Sequence, residues 1–256
     1  MDEQDVADRI RRIVVQQLES LERCGVKQLS RRTAAVPALP PVEPPANPTP
    51  EPESRETMTP QPANKEAALA VIREEVAACT RCRELASSRT QTVFGVGDPH
   101  ARLVFFGEAP GADEDRQGEP FVGRAGKLLT DIIQKGMGLQ RSDVYIMNVL
   151  KCRPPGNRNP NPDEVDHCRN FFERQFETIM PEFICCLGSV AAQNLLETKT
   201  PVGKLRGAIH DYKGVRVVVT YHPSYLLRNP SAKKDTWNDI QMLMREMGLP
   251  IQQKSS

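Results

Sequence analysis

Three patterns of apolar and polar positions divide the chain. From Asp5 to Cys24, Val6, Ile10, Ile13, Val14, Leu18 and Leu21 recur at helical spacing with charges between them, which predicts an amphipathic helix. Such a helix either docks on its own domain or takes a protein partner. From Arg31 to Asn64 prolines crowd the chain, Pro40-Pro41 and Pro44-Pro45 among them. Each proline fixes φ and removes an N–H donor, so neither helix nor sheet can propagate, and the stretch reads as a polyproline-like or disordered linker. From Lys65 onward, short β-rich apolar runs alternate with helical patterns. Arg102–Gly107, Val144–Val149, Phe183–Leu187 and Val215–Thr220 predict buried strands, and Glu66–Ala78, Ala125–Met137, Pro162–Ile179, Val190–Glu197 and Ala232–Met247 predict helices.

The helix from Pro162 carries the fullest set of signals. Asn161 can cap it, Pro162 suits its first turn, and Glu164 stands at the capping-box position. Val165, Cys168, Phe172, Phe176 and Ile179 form its apolar stripe. Strands alternating with helices predict an α/β fold: a central, four-stranded, mostly parallel sheet flanked by helices. The expected organisation is an N-terminal helix over 1–30, a proline-rich linker over 31–64 and a globular domain over 65–256. In open α/β sheets ligands bind beyond the carboxyl ends of the strands, and the chemically suggestive residues of this chain lie there.

Composition narrows the picture. No apolar run approaches the roughly 20 residues that span a bilayer. The start, Met1-Asp2-Glu3-Gln4-Asp5, is acidic and has no apolar signal core after it, so a cytoplasmic protein without a membrane partner is expected. The net charge is only +1, so a nucleic-acid partner would need basic residues gathered on one face. The seven cysteines of a cytosolic chain suit metal ligation, redox chemistry or burial better than a disulfide framework.

Four stretches carry candidate chemistry. After the first strand, Gly107-Glu108-Ala109-Pro110-Gly111 forces a tight loop whose backbone N–H groups can approach a ligand, with a carboxylate at its rim. After the second, Asn148 offers a donor and an acceptor side by side, suited to the edge of a base or to satisfying loop backbone. Lys151, Arg153 and Arg158 follow as a basic cluster, either phosphate-holding or merely solvated. After the fourth, His222 can donate to an oxygen that gains charge or serve structure alone, and Leu226, Leu227 and Arg228 could wedge a base stack and grip phosphate. Cys79 and Cys82 form a C-x2-C pair, and with the single residues Cys152 and Cys168 they can surround a zinc ion or an iron–sulfur cluster. Cys168 also suits burial on its helix stripe. Cys185 and Cys186 lie inside a strand and read as core.

Jointly, GEAPG, EDRQGEPFVGRAG, NVLKCRPPGNRNP and HPSYLLR resemble the signatures of family 4 uracil-DNA glycosylases, over about Ala68 to Leu249. The resemblance implies the four-stranded parallel sheet, uracil-containing DNA as partner, single- or double-stranded, a monomer, and Cys79, Cys82, Cys152 and Cys168 as ligands of a [4Fe–4S] cluster. It implies removal of uracil to leave an abasic site, the first step of base excision repair. Gly107 and Ala109 would line the uracil site, and Phe121 would stack on the extruded base. Asn148 would accept from uracil N3–H and donate to O4, a pattern cytosine reverses. Glu108 would position water or support the sugar cation, and His222 would hydrogen-bond O2 of the departing anion. Glu114 would crowd the position of the thymine methyl, and Leu226, Leu227 and Arg228 would keep the base extruded. A related branch traps DNA covalently through a histidine on an inserted basic loop. Here the chain after Asn148 runs through KCRPPGNRNP with no insertion and no histidine, and His167 falls on the helix from Pro162. A third reading is a structural zinc module of a larger repair assembly, with the N-terminal helix as its tether.

Overall fold

The computed structural model describes residues 64–251. The expected N-terminal helix and nearly all of the expected linker lie outside the described residues. Asn64 opens the ordered domain: its side chain accepts from the Ala67 N–H at 2.9 Å and caps α1 (Lys65–Ala78). A short α2 (Arg83–Ser88) follows the C-x2-C turn.

Among the described residues the sheet has six strands, not the four expected: β1 (Val96–Gly97), β2 (Leu103–Gly107), β3 (Tyr145–Asn148), β4 (Phe183–Leu187), β5 (Ile209–Tyr212) and β6 (Val215–Thr220), in the order β1-β3-β2-β4-β6-β5. The four expected strands are the inner ones, all parallel, with register pairs such as Gly107↔Asn148 and Phe105↔Cys185. The added strands are antiparallel edges. β1 is two residues long and too short to leave a pattern. β5 joins β6 through Lys213 and Gly214, both at positive φ (53° and 85°), the backbone of a tight hairpin turn.

Alternate strand residues feed two cores. Val104, Phe106, Met147, Cys186 and Val219 face α1 and α5 (Pro162–Ile179), where Phe106 packs on Phe172 and Phe176 with ring centroids 5.2 Å apart in both pairs. Phe105, Ile146, Cys185 and Val218 face the opposite layer, α4 (Arg124–Asp131) and α9 (Lys233–Met247), with Leu129, Ile240 and Leu243. Cys185 and Cys186 are buried core, one on each side. The helix expected over Ala125–Met137 starts one residue earlier and ends in a π turn at Ile132–Gly136. Connections carry the short helices α3 (Ala112–Gln117), α6 (Ser189–Leu195), α7 (Val202–Leu205) and α8 (Pro223–Arg228). No described helix is long and apolar enough to cross a membrane.

Candidate active site

A cavity of about 420 Å³ opens beyond the carboxyl ends of β2, β3 and β6. Glu108, Ala109, Glu114, Phe121, Asn148 and His222 line it. It forms where parallel strands end and their loops diverge.

Gly107 makes the floor. A Cβ there would lie 2.3 Å from Asn148 Oδ1 and 2.6 Å from Phe121 Cζ, so only glycine lets both side chains close over the strand ends. Asn148 is 2 % exposed and its Oδ1 has no hydrogen-bond partner. A buried, unpaired acceptor costs about 1–3 kcal/mol, a cost native folds keep where a ligand repays it. Phe121 sits at φ 55°, a left-handed conformation that bulky residues rarely adopt. Close packing enforces it: a Cβ at Gly126 would fall 1.9 Å from the Phe121 carbonyl oxygen. The carboxylate of Glu114 accepts from the N–H groups of Gly111 (3.1 Å), Val122 (3.0 Å) and Gly123 (2.9 Å). It therefore ties the Gly107–Gly111 loop to the loop that presents Phe121.

His222 leaves the end of β6 as the residue before α8. Its Nδ1 accepts from the Ser224 backbone N–H at 3.1 Å and lies 2.8 Å from Ser224 Oγ. That acceptor role leaves the ring proton of the neutral form on Nε2. Burial, and secondarily Arg228, pushes the imidazolium down to about 4, so the ring is neutral near pH 7 and can still donate. The Phe121 and His222 ring centroids are 5.5 Å apart, less than two stacking gaps of about 3.4 Å each. A flat ring therefore cannot slide between them; the free approach is to one face of Phe121 with His222 to the side. Burial raises the Glu108 carboxyl above its usual range.

Three residues after Asn148, at Lys151, the chain enters the lining of a second, more enclosed cavity. Cys79, Cys82, Cys152 and Cys168 all line it, with Arg89, His167 and the apolar Val76, Leu85 and Phe171. Arg89 Nη1 donates to Cys152 Sγ at 3.0 Å, Arg81 Nε to Cys79 Sγ at 3.4 Å, and His167 Nδ1 lies 3.3 Å from Cys82 Sγ. Burial and then the neighbouring thiols Cys168 and Cys152 push Cys82 up to about 11. Four thiols this close repel as thiolates, and cationic donors or bound metal offset that repulsion. Among the described residues no three His, Cys, Asp or Glu side chains converge as a single-ion site.

A family model for the uracil DNA glycosylase superfamily matches residues 94–241. The chain belongs to that superfamily. It is 44 % identical over 180 residues to a type-4 uracil-DNA glycosylase of Archaeoglobus fulgidus, covering 67 % of this chain and 89 % of the relative. It is 46 % identical over 169 residues to the type-4 enzyme of Thermotoga maritima, covering 65 % and 87 %. A type-5 uracil-DNA glycosylase of Thermus thermophilus is 33 % identical over 143 residues, covering 50 % and 64 %.

Within this superfamily member, Glu108, Ala109, Glu114, Phe121, Asn148 and His222 meet around one pocket, with Gly107 beneath Asn148 and Phe121, while two residues expected at DNA, Lys151 and Leu226, are buried. Lys151 is 1 % exposed and donates to the carbonyls of Asn148 (2.8 Å) and Phe94 (3.2 Å). Burial pushes its ammonium down to about 7; it braces β3 from inside and cannot touch phosphate. Leu226 is 1 % exposed because α8 turns it into the core, whereas Leu227 is 40 % exposed. Arg158 lines the pocket, but its guanidinium is spent on Glu164 (2.7 and 2.9 Å) and Glu84 (2.6 Å). Arg153 donates to Asn157 Oδ1 at 2.8 Å, and Arg228 is exposed at the pocket rim. Sequence reasoning missed Ser224 and Tyr225, which line the pocket, and Arg89, which grips Cys152. A readable signal for Ser224 existed: His-Pro-Ser after a strand places histidine at the cap of a proline-started helix.

Proposed function

We propose that the protein hydrolyses the N-glycosidic bond of uracil in DNA, releasing free uracil and leaving an abasic site. The observation that carries this reading is the unpaired buried Oδ1 of Asn148, facing a pocket whose other walls are Phe121, His222 and Glu108. Oδ1 accepts uracil N3–H and the amide N–H donates to O4. Cytosine offers an acceptor and a donor at those positions, so both groups would stay unpaired. Phe121 supplies the stacking face. As the bond to C1′ breaks, charge grows on uracil O2, where neutral His222 donates through Nε2. Glu108 holds the attacking water and supports the sugar cation. Water adds to C1′, its proton leaves to solvent or base, and uracil departs as the anion. Glu114 fixes the two loops through three backbone N–H groups and, lining the pocket, stands where it would crowd a thymine methyl. Trapping by a histidine has less support: His167 points to the cysteine cavity.

The cysteines are read as ligands of a [4Fe–4S] cluster. All four thiols line one shared cavity, and a four-thiolate set suits an iron–sulfur cluster. The Arg89 and Arg81 donors to sulfur suit an anionic cluster. When bound, the cluster cross-links α1, the loop after β3 and α5, and supplies no step in the hydrolysis.

Uracil release should be measured on single- and double-stranded DNA carrying one uracil, with thymine and cytosine controls. Free uracil and an abasic product from uracil DNA alone are expected. A covalent protein–DNA adduct on a denaturing gel, or no release from either form, would overturn the reading. Iron analysis and a visible spectrum after anaerobic purification test the cluster separately.

A further inference from the structure

Tyr225 is 39 % exposed at the mouth of the pocket. Its ring stacks on Tyr221, with centroids 5.0 Å apart and planes at 27°. The Arg206 guanidinium carbon lies 4.9 Å from the Tyr221 centroid. Arg206 is itself clamped: Nε and Nη2 donate to Asp239 at 2.9 and 3.1 Å, and Asp235 lies 3.6 Å away. Asp239 is buried and also accepts from Thr220 Oγ1 at 2.8 Å, from the residue just before Tyr221. Residues from α7, the end of β6, α8 and α9 thus hold one exposed aromatic pair in place. Neither tyrosine belongs to the two buried cores.

We propose that Tyr221 and Tyr225 form a stacking platform for the nucleobase next to the extruded uracil. The inference rests on the uracil-DNA reading of the adjoining pocket. Drawing one base out of a strand leaves its neighbour without a stacking partner, at a cost of a few kcal/mol. A fixed aromatic face beside the pocket mouth replaces that partner. Arg206 strengthens the pair from behind by its cation–π contact with Tyr221. Every nucleobase has a π-face, so the platform accepts any neighbour and discriminates little by sequence. Exposed Arg228, on the same short helix as Tyr225, offers positive charge for the adjoining phosphate.

The test is a cycle between protein and DNA. Equilibrium binding to single-stranded oligomers containing 2′-fluoro-deoxyuridine, which resists hydrolysis, is measured by fluorescence anisotropy for wild type, Tyr225→Ala and Tyr225→Phe. A second oligomer replaces both bases flanking the uracil by tetrahydrofuran abasic residues. On the ordinary oligomer Tyr225→Ala should bind about 5- to 150-fold more weakly, as expected for one lost base–aromatic stack, and Tyr225→Phe should stay within about threefold of wild type. On the abasic-flanked oligomer all three should bind alike. With uracil DNA, the Tyr225→Ala loss should appear in KM more than in the saturated single-turnover rate. Equal binding of Tyr225→Ala and wild type to the ordinary oligomer overturns the platform, and so does a penalty that persists on the abasic-flanked one. A melting temperature for each variant, with Tyr225→Phe as the folded reference, separates lost stacking from lost structure. Failure of the uracil reading itself shows differently, as absence of uracil release by wild type.

Discussion

The pocket and the cysteine cavity share the loop after β3, yet they are built in opposite ways. Around the pocket, stability is given up: Asn148 keeps a buried acceptor unpaired, Phe121 holds a left-handed backbone, and the half-buried His222 is held neutral. Around the cysteines, polar groups are paired: Arg89 and Arg81 donate to sulfur, and His167 lies against Cys82. One region leaves polar groups unpaired, the other pairs them. Lys151 and Arg158 stand between them. Each looks like a DNA contact in the sequence, and each instead braces the shared loop, Lys151 through the Asn148 carbonyl and Arg158 through Glu164. The lesson is that strain collects where chemistry is expected and satisfaction collects behind it.

Variants can break or sharpen this contrast. The largest effect is expected for Cys152→Ala, which should strip most of the iron and lower the melting temperature more than any pocket variant. Unchanged iron content would show that Cys152 is not a ligand and would dissolve the contrast. Next come Asn148→Ala and His222→Ala, which should slow uracil release about 10²–10³-fold each. The melting temperature of Asn148→Ala should hold or rise, because the truncation removes an unpaired buried acceptor, whereas His222→Ala should lose a little stability with its cap on Ser224. A melting temperature that fell sharply for Asn148→Ala would mean that the pocket is structural after all. Glu114→Ala should fall between the two regions. It frees three backbone donors, so both stability and release should drop, the latter by about tenfold or more, the scale of a one-ångström misplacement. Loss of release with no change in stability would assign Glu114 to the reaction instead.

The smallest effect concerns pH. His222 is held at about 4 in the fold, against 6.5 for an unperturbed histidine. The unfolded chain therefore takes up a proton that the folded protein refuses, between those two values. The stability that neutral His222 confers is complete above about pH 6.5 and is lost as pH falls toward 4. The difference in melting temperature between wild type and His222→Gln, followed from pH 7 to 4.5, should shift in the variant's favour. A constant difference across that range would mean that the ring is not buried in the neutral form.

Much of this was legible in the chain. The four inner strands and the helix from Pro162 were readable because buried parallel strands are continuous apolar runs and helix starts carry local caps. The two edge strands were not: Val96–Gly97 is too short for a pattern, and Ile209–Tyr212 mixes His and Asp with apolar residues because one side faces solvent. The residues around the pocket were readable as types, since Gly107, Asn148 and His222 stand at strand ends. Their exposure was not. Leu226 and Leu227 are equivalent in sequence, and only the phase of α8 decides that the first is buried and the second exposed.

The sequence by itself determined the alternation of strands and helices, the four spaced thiols and the chemical types at the strand ends, because these depend on local spacing and side-chain chemistry. Tertiary structure alone decided which charges are free. Lys151 and Arg158, from one basic stretch, change role because backbone carbonyls enclose the first and two glutamates hold the second. Such enclosure depends on residues far away in the chain: Phe94 against Lys151, Glu84 against Arg158, and Arg206 against Tyr221.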